Sequence, residues 1–202
     1  MRPRLLGLAV LAALAVVALA GAGSASATTL CEVNENPCPE ESRYPSGTTI
    51  AGNSASVLKS GTLTIECVDT KVEIKTLAES GSTIPAELTL PTFTECFDGA
   101  TECTQEALND PYEAFFYEPI GGNGRLANTN NPGDEFSLKV KCGASTCVFT
   151  GGMKFKITGG NPAKMTIFAW EPTQSGSCAS TATWSVNYTL TTPTPLYVEA
   201  SP

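Results

Sequence analysis

The sequence predicts an all-β fold: a single-domain β-sandwich or partly closed β-barrel, stapled by disulfides and preceded by a cleaved signal peptide. Three observations carry this reading. Apolar and polar residues alternate with period two in run after run, Gly, Pro and Asn punctuate those runs at short intervals, and a chain of 202 residues holds eight cysteines and no histidine. No segment after residue 30 offers an apolar stripe at i, i+3, i+4 and i+7; residues 101–109 are the best candidate for one or two helical turns.

In chain order, Met1-Arg2-Pro3-Arg4 supplies a positive start, residues 5–20 are apolar, and Ala25-Ser26-Ala27 is an A-x-A cleavage site, so the mature chain is expected to begin at Thr28. Residues 28–45 carry two cysteines and little apolar periodicity, and read as a disulfide-stapled N-terminal arm; residues 46–202 form the β-domain. Within it Leu63, Ile65 and Cys67 alternate with Thr64 and Glu66, and Val72 with Ile74 and Leu88 with Leu90 mark shorter strands. Phe136, Leu138 and Val140 alternate with Ser137 and Lys139, as do Met153, Phe155 and Ile157 with Lys154 and Lys156. Met165, Ile167 and Ala169 follow, and Trp184, Val186, Tyr188 and Leu190 form a core strand. Gly159-Gly160-Asn161-Pro162 closes a hairpin, and Asp110-Pro111 and Asn130-Asn131-Pro132-Gly133 mark further reversals.

The balance of charge and cysteine narrows function. Removing 27 of the 202 residues leaves 175, enough for one domain, and losing Arg2 and Arg4 leaves 10 basic against 20 acidic side chains, a balance of −10. Such a chain repels phosphate backbones, so nucleic acid is not an expected partner. An even set of cysteines behind a secretory leader reads as disulfides in a secreted, extracellular protein with no membrane span after cleavage. The short spacings suggest Cys31 with Cys38, Cys96 with Cys103 and Cys142 with Cys147, which leaves Cys67 with Cys178. With no histidine and no C-x-x-C spacing, no metal and no cofactor are expected.

The mature pattern resembles a group of secreted, cysteine-containing actinobacterial proteins of unknown function. The resemblance rests on Thr29-Leu30-Cys31, Cys38-Pro39, Arg43-Tyr44-Pro45, the run Gly159-Gly160-Asn161-Pro162-Ala163-Lys164, Ala182-Thr183-Trp184 through Thr189, and the ending Thr194-Pro195-Leu196-Tyr197-Val198. It implies a secreted single domain.

Catalysis without histidine would fall to a carboxylate pair, as in a glycoside hydrolase, with Glu66, Glu73, Glu87, Glu95, Glu113 and Glu118 on strands; carboxylates at alternating positions are more often a solvated face. Ser56-Val57-Leu58-Lys59 matches S-x-x-K but lacks the companion motifs. The oxygen-rich cluster Asn123, Asn128, Asn130, Asn131, Asp134 and Glu135 reads as turn chemistry ahead of calcium binding. Segment 112–119 is the most distinctive: alternation sets Tyr112 and Phe116 on one face, Phe115 and Tyr117 on the other, and burial of both faces is the favoured reading. Trp170, at the end of its strand, is the other candidate exposed aromatic. The leading expectation is a non-enzymatic extracellular or cell-surface domain of structural or adhesive role. The alternative is a carbohydrate-binding module using Phe115, Tyr117 and Trp170, with a cell-wall glycan or another surface protein as partner.

Overall fold

The computed structural model describes residues 27–90, 92–128, 135–170 and 172–201. Sixteen strands run through them: β1 (Ala27–Cys31), β2 (Thr49–Ser60), β3 (Leu63–Thr76), β4 (Ser80–Gly81), β5 (Ile84–Thr89), β6 (Phe93–Asp98), β7 (Thr101–Leu108), β8 (Tyr112–Ile120), β9 (Asn123–Asn128), β10 (Phe136–Cys142), β11 (Ser145–Gly151), β12 (Met153–Thr158), β13 (Ala163–Trp170), β14 (Thr173–Gly176), β15 (Thr183–Thr192) and β16 (Tyr197–Ser201). The helix expected at residues 101–109 is strand β7 instead. Cys103, Gln105 and Ala107 alternate there with Glu102, Thr104 and Glu106, and β7 pairs with β6 and β10 on either side. Period two, backed by two ladders, overrides the weak helical pattern. The reversal at 130–133 lies outside the described residues.

Eight strands close a barrel in the order β3-β2-β15-β13-β12-β9-β8-β5, with β5 returning to β3. Closure depends on the length of β3. Its C-terminal half, Glu73–Thr76, pairs with β5, while Glu66–Thr70 pairs with β6 and starts a side sheet β6-β7-β10-β11-β14. The alternation read from sequence places Ile65, Ile74, Leu88, Phe155, Ile157, Met165, Tyr188 and Leu190 in the core. The lumen is filled with side chains, as expected for a barrel of eight strands.

Both mouths are shut. At one, where β5, β9 and β13 begin, β1 lies between β16 and β4 in a small three-stranded sheet. Residues 28–45 thus serve as part of a lid, held by the Cys31–Cys38 disulfide, by Tyr44 N donating to Leu30 O at 2.9 Å and by the Tyr44 hydroxyl donating to Pro195 O at 2.5 Å. Val198 enters against Gly124 of β9, where a Cβ would stand 2.4 Å from Val198 Cγ1. Gly124→Ala is therefore expected to cost about 1–3 kcal/mol by overpacking, read as a fall in the midpoint of thermal unfolding.

At the other mouth the side sheet folds over the barrel on an aromatic cluster. Phe136 of β10 stacks on Trp184 of β15 (centroids 5.5 Å apart, 22° between planes), and Trp170 packs edge-on to Trp184 at 6.0 Å and to Phe149 of β11 at 6.2 Å. Tyr112 adds a ring 5.2 Å from Phe136, and its hydroxyl donates to Leu108 O and Ser137 O.

All eight cysteines are bonded, but three of the four pairs differ from the short-spacing expectation: Cys31–Cys38 holds, and the others are Cys67–Cys96, Cys103–Cys142 and Cys147–Cys178. The long Cys67–Cys178 bridge does not exist. Cys67, Cys96, Cys103 and Cys142 form one row across β3, β6, β7 and β10. Cys96 and Cys103 are register partners but are not bonded to each other. The Cα separations of 4.0 Å for Cys67–Cys96 and 4.3 Å for Cys103–Cys142 mark pairs without mutual hydrogen bonds, where side chains come closest. The ladder alternates, so the intervening Cys96–Cys103 position is hydrogen-bonded, with Cα atoms about 5.5 Å apart. Strand phase decides the partner.

Candidate functional site

The outer wall over β8, β9, β12 and β13 carries an exposed aromatic and cationic groove, and two strand irregularities flank it. β13 bulges opposite the Lys154–Phe155 step of β12, where Ile167 faces Phe155 and Ala169 faces Lys154, leaving Phe168 without a partner. Phe168 points outward in the phase set by Met165 and Ile167, 45% exposed, and the extra residue reverses the phase only beyond it, at Ala169 and Trp170. On β8 the register shifts between Tyr117 and Ile120, Glu118 takes a positive φ of 53°, and Ile120 is left 72% exposed.

Between the two irregularities stands Arg125 of β9. Its register neighbours are Tyr117 on β8 and Lys156 on β12. Its guanidinium lies 4.7 Å above the Phe168 ring and its Nε is 2.7 Å from a Glu118 carboxylate oxygen, so cation–π and ion-pair contacts fix one side chain from two directions. Glu118, Ile120, Asn123, Arg125, Lys156 and Phe168 line a groove of about 520 Å³. Asn123 braces its floor: the side-chain amide donates to Ile120 O and Gly121 O, and Oδ1 accepts Gly159 N at 3.1 Å. Lys154, Lys156 and Lys164 are exposed on the neighbouring strands, so a wall of a strongly acidic chain is locally basic.

The three ligand-binding candidates read from sequence do not share a site. Phe115 and Tyr117 lie half-buried on the outward face of β8, while Tyr112 and Phe116 are buried on the inward face; burial of both faces, the favoured reading, is thus replaced by one dry and one partly wet face. Their rings, 5.6 Å apart, tilt by 50° and present no common plane. Trp170 is 8% exposed and belongs to the interior cluster. The bulge is the reason: plain alternation from Met165 and Ile167 puts residue 170 outside, and one inserted residue turns it inward. Phe168, Arg125 and Ile120 went unselected in the sequence. The available signal was Phe168 itself, an aromatic out of phase with Met165 and Ile167.

The other candidates sit apart from this groove, Glu118 and Asn123 excepted. Glu66, Glu73, Glu95 and Glu113 are exposed on strands; Glu87 of β5 faces Glu113 of β8 in register, with Lys75 of β3 on its other side. Ser56 points inward, its hydroxyl 2.7 Å from that of Thr70, while Lys59 points outward. Of the oxygen cluster, Asn123 is committed as above and Asn128 Oδ1 accepts Met153 N at 2.6 Å; Asn130, Asn131 and Asp134 lie outside the described residues. No helix among the described residues is long and apolar enough to cross a membrane, and four disulfides in an all-β domain fit an extracellular protein. No family model matches the chain, no curated protein matches its sequence, and no solved structure matches it.

Proposed function

We propose that this chain is a secreted, non-enzymatic extracellular domain with an adhesive role, holding an acidic surface protein through the groove around Arg125 and Phe168. The observation that carries this is the pairing of exposed apolar side chains, Phe168 and Ile120, with an oriented guanidinium on a rigid wall. Aromatic and arginine side chains are the residues that most often anchor protein contacts. The basic surroundings favour a partner of opposite charge. A lumen filled with side chains and mouths closed by the terminal and side sheets leave the outer wall as the surface on offer, and the disulfides suit durability outside the cell.

Carbohydrate binding is the second reading, favoured by the half-exposed Phe115 and Tyr117. Their tilt, and the guanidinium already covering one face of Phe168, supply no flat open platform for a sugar ring.

A pulldown from extracellular and cell-surface fractions with the mature protein, run beside a glycan array, tests both. Phe168→Ala is expected to lower capture at least about tenfold with the melting temperature unchanged, since loss of a single hot-spot side chain commonly costs 1–2 kcal/mol or more. Unchanged capture by Phe168→Ala and by Arg125→Ala would exclude this groove. Glycan binding that requires Phe115 or Tyr117 would establish the second reading instead.

A further inference from the structure

The lid sheet contains a buried carboxylate with no charged partner among the described residues. Glu199 of β16 is 0% exposed, and neither of its side-chain oxygens is within hydrogen-bond geometry of a partner among the described residues. Burial pushes the carboxyl above the usual range, and the nearby backbone N–H of Gly122 offsets this only in part. Buried carboxylates are ordinarily paired or hydrogen-bonded, so an orphan of this kind calls for a partner. Arg43 of the lid sits in the bridge opposite Cys31 and donates from Nη2 to Cys38 O at 3.4 Å, its buried Nε having no partner among the described residues.

The register supplies a cation that does not yet exist in the unprocessed chain. Glu199 pairs with Thr29, Ala200 with Thr28 and Ser201 with Ala27. The A-x-A site places the scissile bond between Ala27 and Thr28. Before cleavage the Thr28 nitrogen is a neutral amide with one N–H. Hydrolysis by a leader peptidase adds water across the bond, giving Ala27 a carboxylate and Thr28 an amine that takes up a proton at neutral pH to become an ammonium with three donors. Opposed Cα atoms stand about 5 Å apart, and the Thr28 nitrogen lies about 5 Å further along the strand, hence roughly 7 Å from Glu199 Cα. The Glu199 side chain rises from the sheet on the face it shares with Thr29, so a freed Thr28 terminus reaches it by swinging out of the ladder.

We propose that Glu199 is the receptor for the α-ammonium group created at Thr28, so that removal of the leader completes an ion pair that locks β1 and β16 into the barrel mouth. This rests on cleavage after Ala27. The leader would then do more than direct export: while it is attached, the lid contains an uncompensated buried carboxylate, and the fold is finished only once it has gone.

The test is a double-mutant cycle on the oxidised chain, comparing a version that begins at Thr28 with one that begins at Ala27, each with and without Glu199→Gln. Beginning at Ala27 restores the Thr28 amide and moves the charge one residue out. The Thr28 chain is expected to melt roughly 2–4 °C above the Ala27 chain, and Glu199→Gln should abolish the difference. In the unsubstituted Thr28 chain the α-amine should acylate at least tenfold more slowly than a free N-terminal threonine in a peptide, a readout that survives even if the Gln variant folds poorly. Equal melting temperatures together with unprotected acylation would overturn the pairing while leaving cleavage intact. Mass spectrometry of the exported protein showing a first residue other than Thr28 would overturn the cleavage itself.

Discussion

Trp184→Ala is expected to destabilise the protein by about 3–5 kcal/mol, near the upper end for a single core truncation. Trp184 stands where the barrel meets the side sheet: its ring stacks on Phe136 of β10, meets Trp170 of β13 edge-on, and lies 5.9 Å from Phe93 of β6. Removing it takes away area burial and three aromatic contacts, each of which adds about 0.5–1.5 kcal/mol beyond burial. The hole would also open between two sheets, where local collapse is hindered by ladders on both sides. Trp184→Phe should cost clearly less, because it retains a ring and deletes an indole N–H that has no hydrogen-bond partner. Urea unfolding followed by fluorescence checks both, since Trp170 remains the only tryptophan in either variant and reports from inside the same cluster. A loss below about 1 kcal/mol for the alanine variant would mean that the side sheet does not depend on this contact.

Trp184 also shows what in this fold can be read from sequence. Its phase with Val186, Tyr188 and Leu190 assigned it to the core, and all four are buried. Alternation works wherever a strand keeps one register, because the pleat alone then decides which face a side chain takes. It fails at Trp170, where the bulge at Phe168 inserts one residue and inverts everything beyond it. Nothing local announces that bulge: Ile167-Phe168-Ala169-Trp170 is apolar throughout and admits either phase. Phe168 itself is outward by plain alternation; what hid the groove is the shift between Tyr117 and Ile120, which brings Glu118 and Ile120 beside it. The all-β class and the hairpin at 159–162 are local properties and were legible. The partners of Cys67, Cys103 and Cys147 were not, since they follow from strand order. The side sheet sets β7 beside β10 although 27 residues of chain lie between Leu108 and Phe136.

The strand order also fixes where a lost disulfide should hurt most. Replacing Cys103 and Cys142 together by Ala is expected to cost roughly 4 kcal/mol, against roughly 2–2.5 kcal/mol for the Cys31 and Cys38 pair, because the bridges close 39 and 7 residues of chain and the unfolded-state entropy removed grows with the logarithm of that length. Position reinforces the difference. Cys103–Cys142 ties β7 to β10, the joint by which β10, β11 and β14 hang from the rest of the side sheet. Phe136 and Phe149, which cover Trp170 and Trp184, both lie on the far side of that joint. Without the bridge, those strands are held by one ladder, by the aromatic cluster and by the crossings to β12 and β13, so the loss should fall on the side sheet first. Native-state hydrogen exchange on the double variant should show amides of β10 and β11 exchanging far faster while those of β2 and β15 keep their protection. Non-reducing peptide maps must first confirm that Cys67–Cys96 and Cys147–Cys178 are intact, so that the effect belongs to one bridge. Uniform loss of protection across barrel and side sheet would show a single cooperative unit, and a stability cost no larger than that of the Cys31 and Cys38 variant would contradict the assigned role of the bridge.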